Sequence, residues 1–356
     1  MKRLWIIALA IIIGSSPIMA NGSTEESGTS TVEKKVTEFT VAKNANLPIE
    51  GIGRIISTNL KANKEYTIAC IVKNSTNPYM VSQLEGVSKA GEDMNFKAIT
   101  MAPSQQDSVE EQVRIVEDML AKGVDGIIIH CADSNGIMPA IRKCNTANVP
   151  VVTIGTPAAN PTLLRTGVDY EETGYVIAKE IAEKIGGSGN VIILEGPAGA
   201  SNAIERLNGI KRGFKDYPNV KIVASQTANF KRTEGMSVTE NLLQKYKDVD
   251  AIIGANDESA LGAIQALKSA GITGVAVAGF DGSIDASDAI SKGEMVASYN
   301  TDPYGSGYLA AAYLVQYLND GTMPPTNFVP FPSEKDKPII NSDSVQQYIN
   351  DTAWWK

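Results

Sequence analysis

The chain has 356 residues, of which 43% are hydrophobic, and a formal net charge of −8 at pH 7. This length and hydrophobic content are sufficient for more than one domain of about 100–200 residues. The acidic balance argues against nucleic acid as a partner, because binding to phosphates requires an excess of Lys and Arg. One histidine and three cysteines, without metal-ligand spacing, predict no metal site.

Residues 1–20 have the order of a secretory signal peptide. Lys2 and Arg3 precede an apolar run at 4–13, and small residues follow up to Ala20. The run is shorter than the ~20 residues of a membrane span, which favours cleavage, and an uncleaved anchor helix is the alternative. No cysteine near the cleavage region offers a lipid attachment point. We expect a periplasmic or otherwise extracytoplasmic protein, exported by this signal peptide.

Residues 21–65 form a tether or extension ahead of the first regular element. Residues 21–32 are rich in Ser, Thr, Gly and Glu, a composition typical of a solvated tether. Residues 36–63 have only weak periodicity. They either pack outside a domain or serve as a spacer.

From residue 66, short apolar runs alternate with amphipathic segments. The runs predict strands at 66–72, 97–101, 126–129, 151–154, 164–168, 191–194, 220–225, 251–253, 275–278 and 295–299. The amphipathic segments predict helices at 79–94, 108–121, 171–184, 203–214, 233–246, 259–270 and 304–318. Such alternation predicts an α/β protein with mostly parallel sheets and helices on both faces. Two sets of five strands favour two doubly wound domains over one very wide sheet.

The loop after the first strand is the first candidate site. Polar residues at 73–76 follow the strand, Asn77 lies where a helix N-cap belongs, and Pro78 lies at the first helical position. This arrangement places side chains and free backbone N–H groups at the carboxyl edge of a sheet. Open α/β folds bind small ligands at that edge.

Sequence patterns of enzymes are absent. Gly51-Ile-Gly53 lacks the third glycine of a dinucleotide fingerprint, and Gly186-Gly-Ser-Gly189 follows a helix and predicts a helix stop. No Gly-x-Ser-x-Gly elbow and no phosphate loop occurs. His130, at a strand end, is either bonded to backbone or functional. We therefore expect neither enzymatic activity nor a cofactor.

The odd number of cysteines leaves at least one thiol unpaired within the chain. Cys70 lies in the first strand, Cys131 follows a strand, and Cys144 lies on a helix. Apolar neighbours of Cys70 favour buried, inert thiols. A Cys131–Cys144 disulfide is the alternative.

Five motifs in chain order carry a family resemblance. They are Ile68-Ala-Cys-Ile-Val-Lys-Asn-Ser-Thr-Asn-Pro-Tyr-Met80, Glu195-Gly-Pro-Ala-Gly199, Ser225-Gln-Thr-Ala-Asn-Phe230, Ala255-Asn-Asp-Glu-Ser-Ala-Leu-Gly-Ala263 and Gly279-Phe-Asp-Gly282. Over residues 66–330 the chain resembles the sugar-binding proteins of ATP-driven importers, the ribose- and allose-binding type of type I periplasmic binding protein.

The resemblance implies two lobes joined by a three-segment hinge, with the ligand between them. The crossings would fall near 168–170, 300–303 and 325–330. The lobes would comprise residues 66–168 with 301–325, and residues 169–300 with 326–356. The tail at 331–356 ends in Trp354-Trp355 and is expected to cover an outer face.

A sugar offers hydroxyl groups and apolar C–H faces, so its recognition requires carboxylates, amides, guanidinium groups and aromatic rings. The residues that we predict to bind ligand are Lys73, Asn77, Tyr79, Met80, Thr156, Asn202, Arg206, Phe230, Asn256, Asp281, Asn300 and Thr301. Most of them match ligand positions of the resembling family. Tyr79 and Met80 occupy the place of an aromatic pair, so only one ring remains there.

Several of these residues have alternative interpretations. Asp281 either binds hydroxyls or caps the helix that begins near Ser283. Asn256 is expected to bind ligand and Asp257 to cap the next helix. Phe230 is either a ligand contact or part of the core.

Arg206 lies on the same helix face as Asn202. It either reaches the ligand or pairs with Glu205 or Asp216. Asn300 and Thr301 lie at the second crossing, where relatives contact ligand.

One departure from the family pattern concerns specificity. The ribose type has an adjacent Asp-Arg pair after the fourth strand, where this chain has Gly155-Thr156. A second ligand arginine of that type falls at Ile204. The resemblance therefore predicts that ribose binds poorly.

We expect an extracytoplasmic solute-binding protein that captures a small sugar or polyol and delivers it to the permease and ATPase subunits of an ABC importer. The alternative is a receptor that presents its ligand to a chemotaxis or kinase sensor through the same cleft. A monomer without nucleic acid partners is expected. Pentoses, hexoses, polyols, nucleosides and furanosyl compounds all remain open as ligands.

Overall fold

The computed structural model describes residues 59–160, 162–322, 324, 327–330 and 338–356. The expected signal peptide and most of the expected tether, at residues 1–58, lie outside the described residues. Within the described part of the chain, no helix has both the length and the apolar character needed to cross a membrane.

The strands are β1 (Thr67–Ile71), β2 (Lys97–Met101), β3 (Gly126–Ile129), β4 (Val151–Ile154), β5 (Leu164–Gly167), β6 (Ser188–Glu195), β7 (Asn219–Thr227), β8 (Ala251–Gly254), β9 (Ala276–Asp281), β10 (Ala297–Asn300), β11 (Phe328–Pro330) and β12 (Ile339–Asn341). The helices are α1 (Pro78–Met94), α2 (Val109–Ala121), α3 (Met138–Thr146), α4 (Tyr170–Lys184), α5 (Ser201–Gly213), α6 (Arg232–Lys245), α7 (Asp257–Ser269), α8 (Ile284–Ser291), α9 (Pro303–Asp320) and the short α10 (Val345–Gln347). All the predicted strands and helices are confirmed, with boundaries that differ by a few residues.

Two separate six-stranded sheets form the framework. The first has the order β11-β5-β4-β3-β1-β2, and the second has the order β12-β10-β9-β8-β6-β7. All neighbouring strands are parallel except β12, which pairs with β10 in the antiparallel sense. We call the first sheet with α1–α3 and α9 the first lobe, and the second sheet with α4–α8 and residues 345–356 the second lobe. The α/β class with two doubly wound sheets is therefore confirmed.

Each sheet is buried on both faces, as its apolar strands predict. In the first lobe, one core contains Ile68 and Leu314, and the core on the opposite face contains Ile127 and Val116. The second lobe likewise has two cores, one on each face of its sheet. Helices pack tightly where glycine removes a side chain. A Cβ at Gly86 would lie 2.1 Å from the Tyr304 carbonyl oxygen, so α1 and α9 could not approach this closely with any other residue.

The chain passes between the sheets after β5 and again between β10 and α9. The third boundary differs from the prediction, because β11 pairs with β5 and belongs to the first sheet. Phe328 and Arg165 are register partners, and the guanidinium carbon of Arg165 lies 4.8 Å from the centre of the Phe328 ring. The expected crossing at 325–330 and second-lobe segment from 326 are therefore wrong; the chain enters the second sheet at β12.

The cap at the start of α1 is confirmed. Asn77 Oδ1 accepts a hydrogen bond of 2.9 Å from the Tyr79 backbone N–H, and Pro78 begins the helix. At α7 the expectation is wrong, since Asn256 rather than Asp257 provides the cap. Asp257 is buried instead and accepts hydrogen bonds from the Ser283 backbone and the Ser298 hydroxyl at 2.8 and 2.7 Å.

All three cysteines are buried and unpaired, so the alternative disulfide between Cys131 and Cys144 is wrong. Burial raises the pKa of the Cys70 and Cys131 thiols to about 12 and that of Cys144 to about 11. A thiol reacts as its thiolate, so these side chains are inert at neutral pH.

Candidate functional site

A cleft opens between the two lobes at the carboxyl ends of their parallel strands. It contains about 460 Å³ of empty space, including its opening to solvent, which lies within the usual range for small-molecule sites. The first lobe contributes Lys73, Asn74, Asn77, Tyr79, Met80, Gln106, Asp107 and His130. The second lobe contributes Asn202, Arg206, Asn229, Phe230, Asn256 and Asp281.

Nine of the twelve predicted residues line this cleft, and the other three are buried just behind its wall. Thr156 donates to Asn202 Oδ1 at 2.8 Å, and Thr301 is 3.5 Å from Asp281 Oδ1. Asn300 accepts from the Asp302 backbone N–H at 3.0 Å. These three side chains support cleft residues or the turn at the second crossing.

Arg206 and Asp281 form the charged centre of the second-lobe wall. The Arg206 guanidinium lies 3.4 Å from Asp281 Oδ1 and donates to the Ala255 carbonyl oxygen at 2.5 Å. Its carbon also lies 4.7 Å from the centre of the Phe280 ring. The alternative ion pairs of Arg206 with Glu205 and Asp216 are therefore wrong.

Asp281 is held in an unusual backbone conformation at the end of β9. Its φ is 117°, a region that residues with a Cβ rarely adopt. Ser283 caps α8, so the alternative role of Asp281 as that cap is wrong. Burial raises the pKa of the Asp281 carboxyl to about 6, and the neighbouring Arg206 opposes that rise.

The C-terminal segment 345–356 supports this loop from behind. The Trp354 indole N–H donates to the Asp281 carbonyl oxygen at 2.8 Å, and the Tyr348 hydroxyl donates to the Gly282 carbonyl oxygen at 2.7 Å. The Trp355 indole reaches the same Gly282 oxygen at 3.2 Å. The tail was expected to cover an outer face, and its Trp354 is also buried behind the Asp281 loop of the cleft wall.

Aromatic and apolar side chains complete the walls from both lobes. Tyr79 meets the His130 ring edge-on, with centroids 6.2 Å apart, and Met80 lies beside it. On the opposite wall Phe230 is only half-buried, so its alternative role in the core is wrong. Lys73 Nζ lies 5.0 Å from the centre of the Phe230 ring, across the cleft. Burial lowers the pKa of the Lys73 ammonium.

Both the oxygen and the nitrogen of the Asn256 side-chain amide make hydrogen bonds within the protein. Its oxygen accepts from the Ser259 N–H at 2.9 Å, and its nitrogen donates to the Phe230 carbonyl oxygen at 3.2 Å. Asn256 therefore holds the Phe230 loop against the start of α7.

Five cleft residues were not predicted from the sequence: Asn74, Gln106, Asp107, His130 and Asn229. Four of them lie in loops after the carboxyl ends of β1, β2 and β7, and His130 directly follows β3. Position at that sheet edge was the available signal, but it does not distinguish residues that face the cleft from residues that face solvent.

The chain matches the model of the periplasmic binding protein domain over residues 68–322. A ribose import binding protein of Bacillus subtilis is 36% identical over 277 residues, which cover 77% of this chain and 88% of that protein. The chain belongs to the periplasmic binding protein family. The D-allose-binding periplasmic protein of Escherichia coli is 27% identical over 289 residues, covering 78% of this chain and 92% of that protein.

Solved structures of binding proteins have the same two-lobed fold. An ABC transporter periplasmic solute-binding protein from Actinobacillus succinogenes with bound D-allose is 31% identical, with a TM-score of 0.74 over 80% of this chain and all of that one. A galactofuranose-binding protein is 25% identical, with a TM-score of 0.75 over 81% of this chain and 98% of that one. Both relatives named above are sugar-binding proteins.

Proposed function

We propose that this periplasmic binding protein captures a small sugar or polyol between its lobes and delivers it to the permease and ATPase subunits of an ABC importer. The observation that carries the ligand class is the combination of groups in the cleft. Charged and amide side chains of Lys73, Asn202, Arg206 and Asp281 surround a space bounded by aromatic rings. This combination suits paired hydroxyls and apolar C–H faces.

All twelve predicted ligand-binding residues belong to this proposal, in two roles. The nine that line the cleft contact the ligand, and Thr156, Asn300 and Thr301 hold them in position. Because the wall is divided between the lobes, a ligand contacts both only when they are closed, and binding shifts the population toward the closed form.

A thermal-shift screen followed by calorimetry tests the ligand class. The panel contains D-allose, D-ribose, xylitol, myo-inositol and L-arabinose. At a hundredfold excess over Kd, a ligand adds about 2.7 kcal/mol to the free energy of unfolding. No stabilisation by any member of the panel would contradict the proposal that the protein takes sugars and polyols.

Delivery to an importer distinguishes the proposed function from ligand presentation to a chemotaxis or kinase sensor. The Bacillus subtilis relative is named as a ribose import binding protein, which favours transport. Deletion of the gene should abolish uptake of the radiolabelled ligand while growth on glucose is unchanged. Normal uptake with lost chemotaxis would support the receptor instead.

We further propose an exported monomer without enzymatic activity or nucleic acid partners. Export is supported by the charged and apolar order of residues 1–20, and the net charge of −8 disfavours nucleic acid. Amino-terminal sequencing of the exported protein should give a start near Asn21, and an intact Met1 would contradict cleavage. Light scattering should give the mass of one chain, before and after ligand addition.

A further inference from the structure

Four buried, uncharged side chains form a continuous hydrogen-bonded chain beside the cleft, and two of them, His130 and Asn202, line it. His130 Nδ1 lies 2.8 Å from Gln83 Oε1, and His130 Nε2 lies 3.3 Å from Thr156 Oγ1. Thr156 Oγ1 lies 2.8 Å from Asn202 Oδ1. The first three residues belong to the first lobe and Asn202 to the second, so the last bond crosses between lobes.

A count of hydrogen-bond donors and acceptors shows that the side-chain amide of Gln83 must be rotated by a half-turn, which exchanges its nitrogen and oxygen. If Nδ1–H of His130 donates to Gln83 Oε1, Nε2 carries no proton and requires a donor. The single hydroxyl proton of Thr156 already goes to Asn202. Meanwhile Gln83 Nε2 is buried without any hydrogen-bond partner. Two groups are thus left unsatisfied.

Exchanging the nitrogen and oxygen of Gln83 satisfies every bond of the chain. Side-chain amide atoms are nearly equivalent in shape, so the exchange changes no packing. Gln83 then donates to Nδ1 of His130, Nε2–H donates to Thr156, and Thr156 donates to Asn202. The opposite direction would leave the Gln83 N–H group buried and unpaired, and orphaned N–H donors are rarer than under-satisfied carbonyl oxygens.

We infer that Gln83, His130 and Thr156 form a one-directional relay that orients Asn202 with its amide N–H toward the cleft, so that Asn202 selects a hydrogen-bond acceptor on the ligand. The part of this inference that concerns the ligand rests on the proposed function. Burial and the positive charges of Lys73 and Arg206 lower the pKa of His130, in keeping with a neutral ring.

The relay also makes the orientation of the Asn202 amide depend on closure of the two lobes. Asn202 lies at the start of α5 in the second lobe, and the partner that fixes its amide is in the first lobe. When the lobes separate, Thr156 no longer fixes the orientation of Asn202. His130 and Thr156 are therefore positioning residues that act on the ligand through Asn202.

The part of the relay formed by Gln83, His130 and Thr156 lies within the first lobe and persists when the lobes separate. Its direction can be measured without a ligand, because His130 is the only histidine of the chain. Untagged protein labelled with [15N]histidine would be examined by long-range 1H–15N correlation at pH 7. We expect the neutral tautomer protonated on Nε2, with Nδ1 showing the shift of an unprotonated nitrogen. A ring protonated on Nδ1 would overturn the relay.

The effect on binding is tested with D-allose as the probe. Thr156→Val removes the hydroxyl and keeps the volume, and we expect affinity to fall about 10- to 100-fold, with most of the change in the dissociation rate. Thr156→Ser, which keeps the hydroxyl, should remain within about threefold of the wild type. Thr153→Val is the matched control, since this buried threonine of β4 bonds only within the first lobe.

The outcomes separate the relay from the proposed function. Unchanged affinity in Thr156→Val, or equal losses in Thr156→Val and Thr156→Ser, would overturn the role of the relay in binding. Failure of the wild type to bind D-allose or any other panel sugar would count against the proposed function. The histidine tautomer would then still decide the direction of the relay, since that measurement requires no ligand.

Discussion

Asp281 combines three unusual properties of the cleft wall: a buried charge, an ion pair and a rare backbone conformation. Its carboxylate is buried, lies beside Arg206, and follows β9 with a backbone φ of 117°. Such a backbone conformation costs of order 1–3 kcal/mol and persists where surrounding contacts hold it. The indole of Trp354 and the hydroxyl of Tyr348 provide those contacts.

We expect Asp281→Ala to abolish useful ligand binding while the protein remains folded. A carboxylate can accept two hydroxyl hydrogen bonds, and bonds to a charged partner contribute roughly 1.5–3 kcal/mol each. Their loss corresponds to two to four powers of ten in affinity at about 1.4 kcal/mol per tenfold. Calorimetry with D-allose measures the change. Asp285→Ala, an exposed position on α8, is the control, and near-normal affinity of Asp281→Ala would remove Asp281 from the site.

The raised pKa of Asp281 predicts that affinity depends on pH. With a pKa of about 6, the carboxylate is mostly protonated at pH 5, and the fraction able to accept two hydroxyl bonds falls ~tenfold. Affinity for D-allose should therefore fall by about that factor between pH 7.5 and 5. In Asp281→Asn the residual affinity should lack this dependence. A wild-type affinity that is flat across this range would contradict the prediction.

The free energy of unfolding of the unliganded protein should increase as pH falls, whereas the affinity for ligand decreases. The folded pKa of about 6 exceeds the reference value of 3.8, so between these pH values the folded state binds more protons than the unfolded state. The contribution of Asp281 to the free energy of unfolding therefore increases as pH falls through 6. The difference between the urea unfolding curves of the wild type and Asp281→Asn isolates this contribution from other groups.

The residues Gly155 and Thr156 predict weak binding of ribose. The structure adds a steric reason, because a Cβ at Gly155 would lie 2.1 Å from the Cε1 atom of His130. An aspartate cannot occupy that position while His130 is present, so the Asp-Arg pair of the ribose type is excluded. Calorimetry with D-ribose should give an affinity weaker than micromolar. Micromolar or tighter binding of D-ribose would contradict this.

At the scale of elements, the two cleft walls are built differently. The first-lobe wall includes the start of α1, where Asn77 and Pro78 begin the helix directly after the loop of β1. The second-lobe wall requires the C-terminal segment 345–356, which arrives from the end of the chain and bonds the carbonyl groups of residues 281 and 282. A distant segment therefore determines the position of the Asp281 carboxylate.

We expect Trp354→Phe to weaken binding of D-allose about 5- to 20-fold. The substitution keeps an aromatic ring but removes the indole N–H that bonds the Asp281 carbonyl oxygen, a bond of the usual ~1 kcal/mol or slightly more. Tyr313→Phe on α9, in the other lobe, is the control for loss of a polar aromatic group. If Trp354→Phe lowers only the melting temperature of the unliganded protein and leaves affinity unchanged, the segment serves stability alone.

At the scale of the whole molecule, direct contacts between the lobes accompany the cleft. The Ser134 backbone N–H donates to the Gly199 carbonyl oxygen at 2.9 Å, and Arg165 pairs with Glu205 at 2.9 Å. Both pairs join the first lobe to the second. They stabilise the closed arrangement without being part of the cleft lining.

We expect Glu205→Gln to weaken affinity only about two- to fivefold, through faster dissociation. Its carboxylate and Arg165 are partly exposed, at 33% and 21%, so solvent screens their attraction and such pairs contribute at most about 1 kcal/mol. Stopped-flow release of D-allose measures the rate. Glu240→Gln, on the exposed side of α6, is the control, and a decrease in the association rate alone would contradict a role in the closed form.

The two-domain α/β architecture could be predicted from the sequence, since apolar runs and helical periodicity are local properties of each segment. Nine of the cleft residues were also predicted, mostly through the family resemblance that the sequence motifs carry. The short strands β11 and β12 could not be predicted from the sequence, because each has only three residues, too few to establish a period. Five prolines between residues 324 and 338 also argue against strands in this region.

The pairing of polar side chains could not be predicted from the sequence and is visible in the folded structure alone. Asn256 and Asp257 are adjacent and chemically similar, yet Asn256 caps α7 where Asp257 was expected to do so. Asp257 instead accepts a hydrogen bond from the hydroxyl of Ser298, which lies 41 residues away in the sequence. Likewise, Thr156 meets Asn202 and Trp354 meets Asp281 only because the lobes and the chain end are brought together. Long-range pairing of this kind leaves no periodic signal in the sequence, since it depends on the packing of whole elements.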